Sequence, residues 1–220
     1  MPDLLKFEQI ETKPTPKTAV IWLHGLGADG FDFLPIVPQL KLADLAIRFI
    51  FPHAPVRPVT LNRGMHMPAW FDLHEISPAS KHDEAGIKLA AQQISDLIAD
   101  QHRLGIAHDR MVLIGFSQGG ALALYSALCL PYALAGAAGL STFLPLSASL
   151  RAQISQRHSL PIFLAHGSND AVVPIEAGQM TQELLSSLNY PVEFHRYQMA
   201  HQVCAQEMDD LSAWLRNLLA

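Results

Sequence analysis

Cysteine is scarce in this chain of 220 residues, where Cys129 and Cys204 are the only two. A pair of thiols cannot form a disulfide framework, and free thiols suit a reducing compartment. Basic residues are sparse as well, with 15 Lys and Arg against 20 Asp and Glu and a net charge of -5. They are scattered rather than clustered, which excludes the basic footprint that nucleic acid requires. The first ten residues, Met1 to Ile10, carry Asp3, Lys6 and Glu8 and lack the apolar block of a secretory signal. A cytoplasmic location is expected. None of the 11 histidines falls in His-Glu-x-x-His or another ligand spacing, so no metal is expected. Charge is missing altogether between Arg110 and Arg151, a length that invites a transmembrane reading. Glycines, Pro131 and Pro145 break that stretch, and two central parallel strands around a buried helix give the same charge-free text.

What is present fits one domain over residues 1–220, since 50% of the chain is hydrophobic and no linker or repeat divides it. Apolar strand-like runs recur at Ala19 to Leu23, Ile47 to Phe51, Met111 to Ile114, Ala135 to Leu140, Ile162 to Ala165 and Val192 to Tyr197. Helical spacing is clearest over Asp83 to His102 and is also read at Phe33 to Leu40, Gln118 to Leu130, Ile175 to Leu188 and Cys204 to Leu219. This alternation predicts an α/β fold with a mostly parallel central sheet and helices on both faces.

The chemistry concentrates in Gly115-Phe116-Ser117-Gln118-Gly119, which joins the apolar run Met111 to Ile114 to a helix-forming segment. That is the pattern of a nucleophile elbow, in which a tight strand-to-helix turn lifts a serine hydroxyl off the backbone. Gly115 and Gly119 flank the serine because a Cβ there would strike neighbouring backbone. The Gln118 amide opens the helix, where an orphan donor and the helix dipole face developing negative charge. The strand Ala19 to Leu23 leads into His24-Gly25-Leu26-Gly27, whose backbone can approach a substrate, so the Leu26 amide is the candidate second oxyanion donor. No Gly-Lys-Ser/Thr follows that loop and no Gly-x-Gly-x-x-Gly is spelled, so nucleotide binding is weakly supported. His24 itself reads as a structural hydrogen-bonding residue.

Asp170 follows the strand Ile162 to Ala165 and reads either as the acid that orients an imidazole or as a turn aspartate. His201 follows the strand Val192 to Tyr197. Ser117, Asp170 and His201 then stand in the chain order expected of α/β-hydrolases. Among the other histidines, His82, His102, His108 and His158 read as solvent-exposed, His195 as part of a strand's polar alternation and His166 as packing. Cys129 reads as a buried helix residue. Cys204 is three positions from His201, and a Cys/His catalytic pair is the weaker alternative.

Four segments together resemble the phospholipase/carboxylesterase family of α/β-hydrolases, which includes bacterial carboxylesterases and acyl-protein thioesterases. They are HGLGADG from His24, GFSQGG from Gly115, HGSNDAVVP from His166 and the histidine before the last helix. The stretch Pro52 to Asn62 leading to Pro68-Ala69-Trp70-Phe71-Asp72-Leu73 is similar to the segment that shapes the acyl site in that family. The resemblance covers nearly the whole chain and implies a Ser117, Asp170, His201 triad with the Leu26 and Gln118 amides as oxyanion hole. Gln202 departs from it, standing where members often carry serine.

These observations predict a serine carboxylesterase that acts on a small-molecule ester or acylated substrate, thioesters included, through an acyl-enzyme, without metal or organic cofactor. Lysophospholipase and acyl-protein thioesterase are the alternatives within the same chemistry. A catalytically silent binding protein on the same fold is the alternative from another class. A homodimer is left open. The segment Pro52 to Pro78 carries an apolar load of Leu61, Met65, Met67, Trp70, Phe71 and Leu73, unusual for a connection. Met65, Trp70, Phe71 and Leu73 are therefore the candidate substrate-binding residues, with a satellite hydrophobic cluster as the other account of the same load.

Overall fold

Along the strand Thr18–Leu23, Ala19, Ile21 and Leu23 join one hydrophobic cluster while Val20 and Trp22 join another, and all five are buried. A run apolar on both sides belongs in a sheet covered on both faces. The computed structural model of the chain describes residues 4–75, 82–150, 154 and 160–220. Within them the strands are β1 (Phe7–Glu11), β2 (Thr18–Leu23), β3 (Ile47–Pro52), β4 (Val56–Val59), β5 (Met65–Pro68), β6 (Met111–Phe116), β7 (Gly136–Leu140), β8 (Ile162–Gly167) and β9 (Val192–Tyr197). The helices are α1 (Glu84–Arg103), α2 (Gln118–Cys129), the short α3 (Ser147–Leu150), α4 (Ile175–Ser187) and α5 (Ala205–Leu219).

The main sheet has the order β1-β3-β2-β6-β7-β8-β9 among the described residues. β1 runs antiparallel at the edge and the other pairings are parallel. Ile87, Ile94 and Ile98 of α1, Leu122 and Leu124 of α2 and Leu185 of α4 cover one face. Leu211, Trp214 and Leu215 of α5, with Val37 and Leu40, cover the other. The charge-free stretch resolves into β6, α2 and β7, each buried along nearly its whole length. No helix among the described residues is long and apolar enough to cross a membrane.

Two features differ from expectation. Leu34–Leu40 is a 3-10 helix rather than an α-helix, with Pro35 and Pro38 in it. Pro35 is tolerated in the first turn, but Pro38 inside the helix removes a backbone donor and its ring crowds the carbonyl one turn back, which breaks an i to i−4 ladder. The segment from Pro52 is not a plain loop either, because β4 and β5 pair as an antiparallel hairpin within it. Residues 76–78 of that segment, and His158, lie outside the described residues.

Candidate active site

Ser117 occupies the turn between β6 and α2 with φ 53° and ψ −119°. A side chain rarely adopts that backbone, and the surroundings must hold it there. The Ser117 carbonyl accepts hydrogen bonds from the Ala121 N–H at 3.0 Å and the Thr142 hydroxyl at 2.6 Å. Its own N–H donates to the Leu140 carbonyl of β7 at 2.9 Å. Only glycine fits on either side, since a Cβ on Gly115 would collide with the Gly119 backbone and one on Gly119 with the carbonyls of Leu23 and His24.

The ends of β8 and β9 bring two further side chains to this turn. Asp170 is both a turn aspartate and an imidazole partner. Its Oδ1 accepts the N–H groups of Val172 and Val173 at 2.9 and 2.8 Å, while Oδ2 lies 2.7 Å from His201 Nδ1. His201 Nε2 lies 3.0 Å from Ser117 Oγ. With Nδ1 donating to the carboxylate, Nε2 carries the lone pair and faces the serine proton. His166 packs against this acid from below, donating Nε2–H to the Val173 carbonyl at 2.8 Å. Burial holds its pKa below the ordinary imidazole value, so it stays neutral.

Ser117 and His201 open into a cavity of about 240 Å³, which the Leu26 and Gln118 residues also line. Gln118 is the first residue of α2, where the amide has no intrahelical acceptor. The walls are apolar, from Phe71, Leu73, Phe116, Phe143, Val172 and Val173, and among the described residues Asp32 is the one acidic lining residue. Of the four candidate substrate-binding residues, then, Phe71 and Leu73 reach the cavity and the other two do not. Trp70 is 0% exposed and packs into the core, its indole N–H donating to the His24 carbonyl at 2.9 Å. Met65 is 63% exposed on the hairpin. Phe71 and Leu73 are buried in the same cluster as Trp70 and differ from it in also lining the cavity.

His24 has the structural part expected of it. Nδ1 donates to the Gly25 carbonyl at 2.7 Å and Nε2 accepts the Ala54 N–H at 3.1 Å. Burial lowers its pKa, which keeps the ring neutral and this pairing intact. Two histidines expected in solvent are half-buried: His82 stacks on Phe143 with ring centres 5.6 Å apart, and His108 stacks on Tyr132 at 3.7 Å. Each has an aromatic neighbour distant in sequence, which local polarity does not register. Cys129 is half-buried rather than buried, at the end of α2, and burial pushes its thiol pKa up. Cys204 stands at the N-cap of α5. Phe116, Val172 and Val173 adjoin residues already singled out, whereas nothing in the sequence around Phe143 marks it as a wall of this cavity.

An α/β-hydrolase is the class in which this sheet, this turn and this chain order of serine, acid and histidine occur together. Comparison with known proteins narrows it. Acyl-protein thioesterase 1 of Cryptococcus neoformans is 36% identical, with 100% of both chains aligned. Acyl-protein thioesterase 1 of Neurospora crassa is 39% identical over 91% of this chain and 86% of its own. The crystal structure of Zea mays acyl-protein thioesterase 2 superposes with a TM-score of 0.88 at 33% identity, covering 98% of this chain and 99% of that one. A sequence profile of the phospholipase/carboxylesterase family matches residues 6–219, and the chain belongs to that family. It is a serine hydrolase of carboxylic esters.

Proposed function

We propose that the enzyme cleaves esters and thioesters of uncharged acyl groups through an acyl-enzyme on Ser117, with residues 1–220 acting as one catalytic domain in the cytoplasm. His201 Nε2 takes the hydroxyl proton as Ser117 Oγ bonds to the carbonyl carbon. Asp170 holds the Nδ1–H and stabilises the imidazolium. The Leu26 and Gln118 amides receive the negative charge that forms on the carbonyl oxygen. Collapse breaks the bond to the alcohol or thiol, which leaves with the proton from His201. Water then attacks the acyl-enzyme by the same steps and frees the carboxylic acid.

The observation that carries this is the hydrogen-bonded line Asp170–His201–Ser117, at 2.7 and 3.0 Å, opening on an apolar cavity. Thioesters enter because the relatives named above are acyl-protein thioesterases. Against a lysophospholipase stands the lining itself: among the described residues it has Asp32 and neither lysine nor arginine, which disfavours a phosphate. Two free cysteines favour a reducing compartment. The test is a hydrolysis panel of paired O- and S-esters and lysophospholipids, run beside labelling with a fluorophosphonate. Turnover of both ester types with stoichiometric labelling supports the proposal; an unlabelled protein is a binder, and a preference for the phospholipid overturns the substrate class.

A further inference from the structure

Glu207 is a fully buried carboxyl that the chemistry above does not use. It lies in the first turn of α5, six residues after His201, and its Oε2 accepts the Cys204 N–H at 3.3 Å. Its Oε1 has no hydrogen-bond partner among the described residues. A carboxyl at this position closes a capping box, in which the N-cap side chain normally answers with a hydroxyl. Here the N-cap is Cys204, and a thiol is a weak acceptor, so the glutamate carries most of the cap. The segment it fastens is short. It begins at Met199 and Ala200, where the Asn169 N–H donates to the Met199 carbonyl at 3.0 Å and the Gln202 N–H to the Ala200 carbonyl at 2.9 Å. It ends at Cys204, with His201 between the two anchors.

We propose that Glu207 is a positioning residue for His201: its buried side chain fixes the Cys204 end of the 199–204 segment, and with it the imidazole's reach to Ser117. The inference rests on His201 being the base. Burial pushes the Glu207 pKa up to about 8, so the cap is made by a neutral acid near neutral pH. The titratable groups around it are few. β9 brings Tyr197, whose hydroxyl donates to Asp210 at 2.8 Å, and His195, 3.9 Å from the same Asp210; α5 adds the Cys204 thiol at its cap. β8 brings no lysine or arginine toward α5, and Lys41, which caps the 3-10 helix Leu34–Leu40, is paired with the exposed Asp209 of α5 at 2.9 Å. Among the described residues no cation pairs with the Glu207 carboxyl, so forming its charge works against the burial that holds the anchor by more than the Cys204 N–H favours it.

The experiment compares the full-length enzyme with Glu207→Gln and Glu207→Ala, using a short p-nitrophenyl ester from about pH 6 to about pH 9.5. Glutamine keeps the acceptor and removes the titration. Its kcat/KM should match the parent within about threefold near neutral pH, while the parent's fall above about pH 8 becomes shallower. Alanine removes the anchor and should lower kcat about tenfold or more with KM little changed. A Glu207→Gln profile that overlays the parent across the range overturns the proposal, and this holds whether or not the alanine variant folds. Ser117→Ala, assayed alongside, keeps the two inferences apart: if it retains turnover, the role of Ser117 and His201 fails, whereas an inactive Ser117→Ala with unaltered Glu207 variants fails only the present one.

Discussion

The Gln118 side chain grips the backbone of two consecutive residues in the segment that follows β5. Its Oε1 accepts the Trp70 N–H and its Nε2 donates to the Phe71 carbonyl, both at 2.9 Å. One residue thus supplies the amide at the start of α2 and fastens the backbone of a cavity wall. The link extends through the Trp70 indole to His24, and from His24 to Gly25 and Ala54, so the loop carrying Leu26 is tied into the same buried set of hydrogen bonds.

Gln118→Ala should therefore do more than shorten a side chain next to the serine. It leaves a buried N–H and a buried carbonyl unpaired, at about 1–3 kcal/mol each, and lets the Phe71 wall drift. Denaturant melts should show a loss of about 2 kcal/mol or more, and kcat/KM should fall about 10- to 100-fold. A loss as deep as that of Ser117→Ala would mean that the side chain enters the chemistry.

Ser117→Ala should lower ester hydrolysis about 10⁴-fold or more with the fold intact, and His201→Ala by a similar factor. Asp170→Asn should remove most activity by allowing the wrong imidazole tautomer. In the proposed mechanism the three act on one proton transfer, so the Ser117→Ala/His201→Ala double variant should be no worse than either single one. A much lower rate in the double variant points to a second nucleophile.

Much of this site was legible because its constraints are local. Gly115 is dictated by a collision with the Gly119 backbone one turn away, and the apolar runs of β2, β6 and β8 report double-sided burial directly, whereas Gly119 answers to the distant Leu23 and His24 carbonyls and is legible through the motif alone. β1 was not legible: an edge strand keeps Glu8 and Glu11 beside Phe7 and Ile10 and shows no clean period. Nor was the division of the Pro52 to Pro78 segment. An apolar residue reads the same whether it faces a core or a cavity, and the contacts that hold Trp70 and Phe71, to Gln118 and His24, come from residues distant in sequence.

Two buried imidazoles predict acid sensitivity. His24 and His166 both have pKa values held below 6.5 by burial. The unfolded chain takes up protons at its ordinary value, before the folded one does. The stability is complete above that value and is lost as pH falls toward the depressed folded one. His166→Gln preserves a donor for the Val173 carbonyl and removes the titration. Between about pH 7 and about pH 5 its Tm should fall less steeply than the parent's. Parallel slopes would show that His166 protonates freely in the folded protein.

Trp70 and Phe71 are neighbours in sequence with different work, and their alanine variants should separate. Trp70 is wholly buried and its indole N–H is hydrogen-bonded to the His24 carbonyl, so Trp70→Ala leaves a large hole and an orphaned acceptor. It should cost about 3–5 kcal/mol of stability. What activity survives should be reduced by a similar factor for every acyl length, because the wall itself is not what the indole touches. Phe71 lines the cavity, and removing its ring enlarges a space of about 240 Å³ beside the serine. Phe71→Ala should reorder the chain-length series, shifting kcat/KM toward longer or bulkier acyl groups by an amount within the 1–3 kcal/mol, about 10- to 200-fold, that one methylene can discriminate. A panel of p-nitrophenyl esters of increasing acyl length, with melts on the same preparations, checks both. If Trp70→Ala reorders the series and Phe71→Ala scales it uniformly, the two residues have been assigned to the wrong sides of the wall.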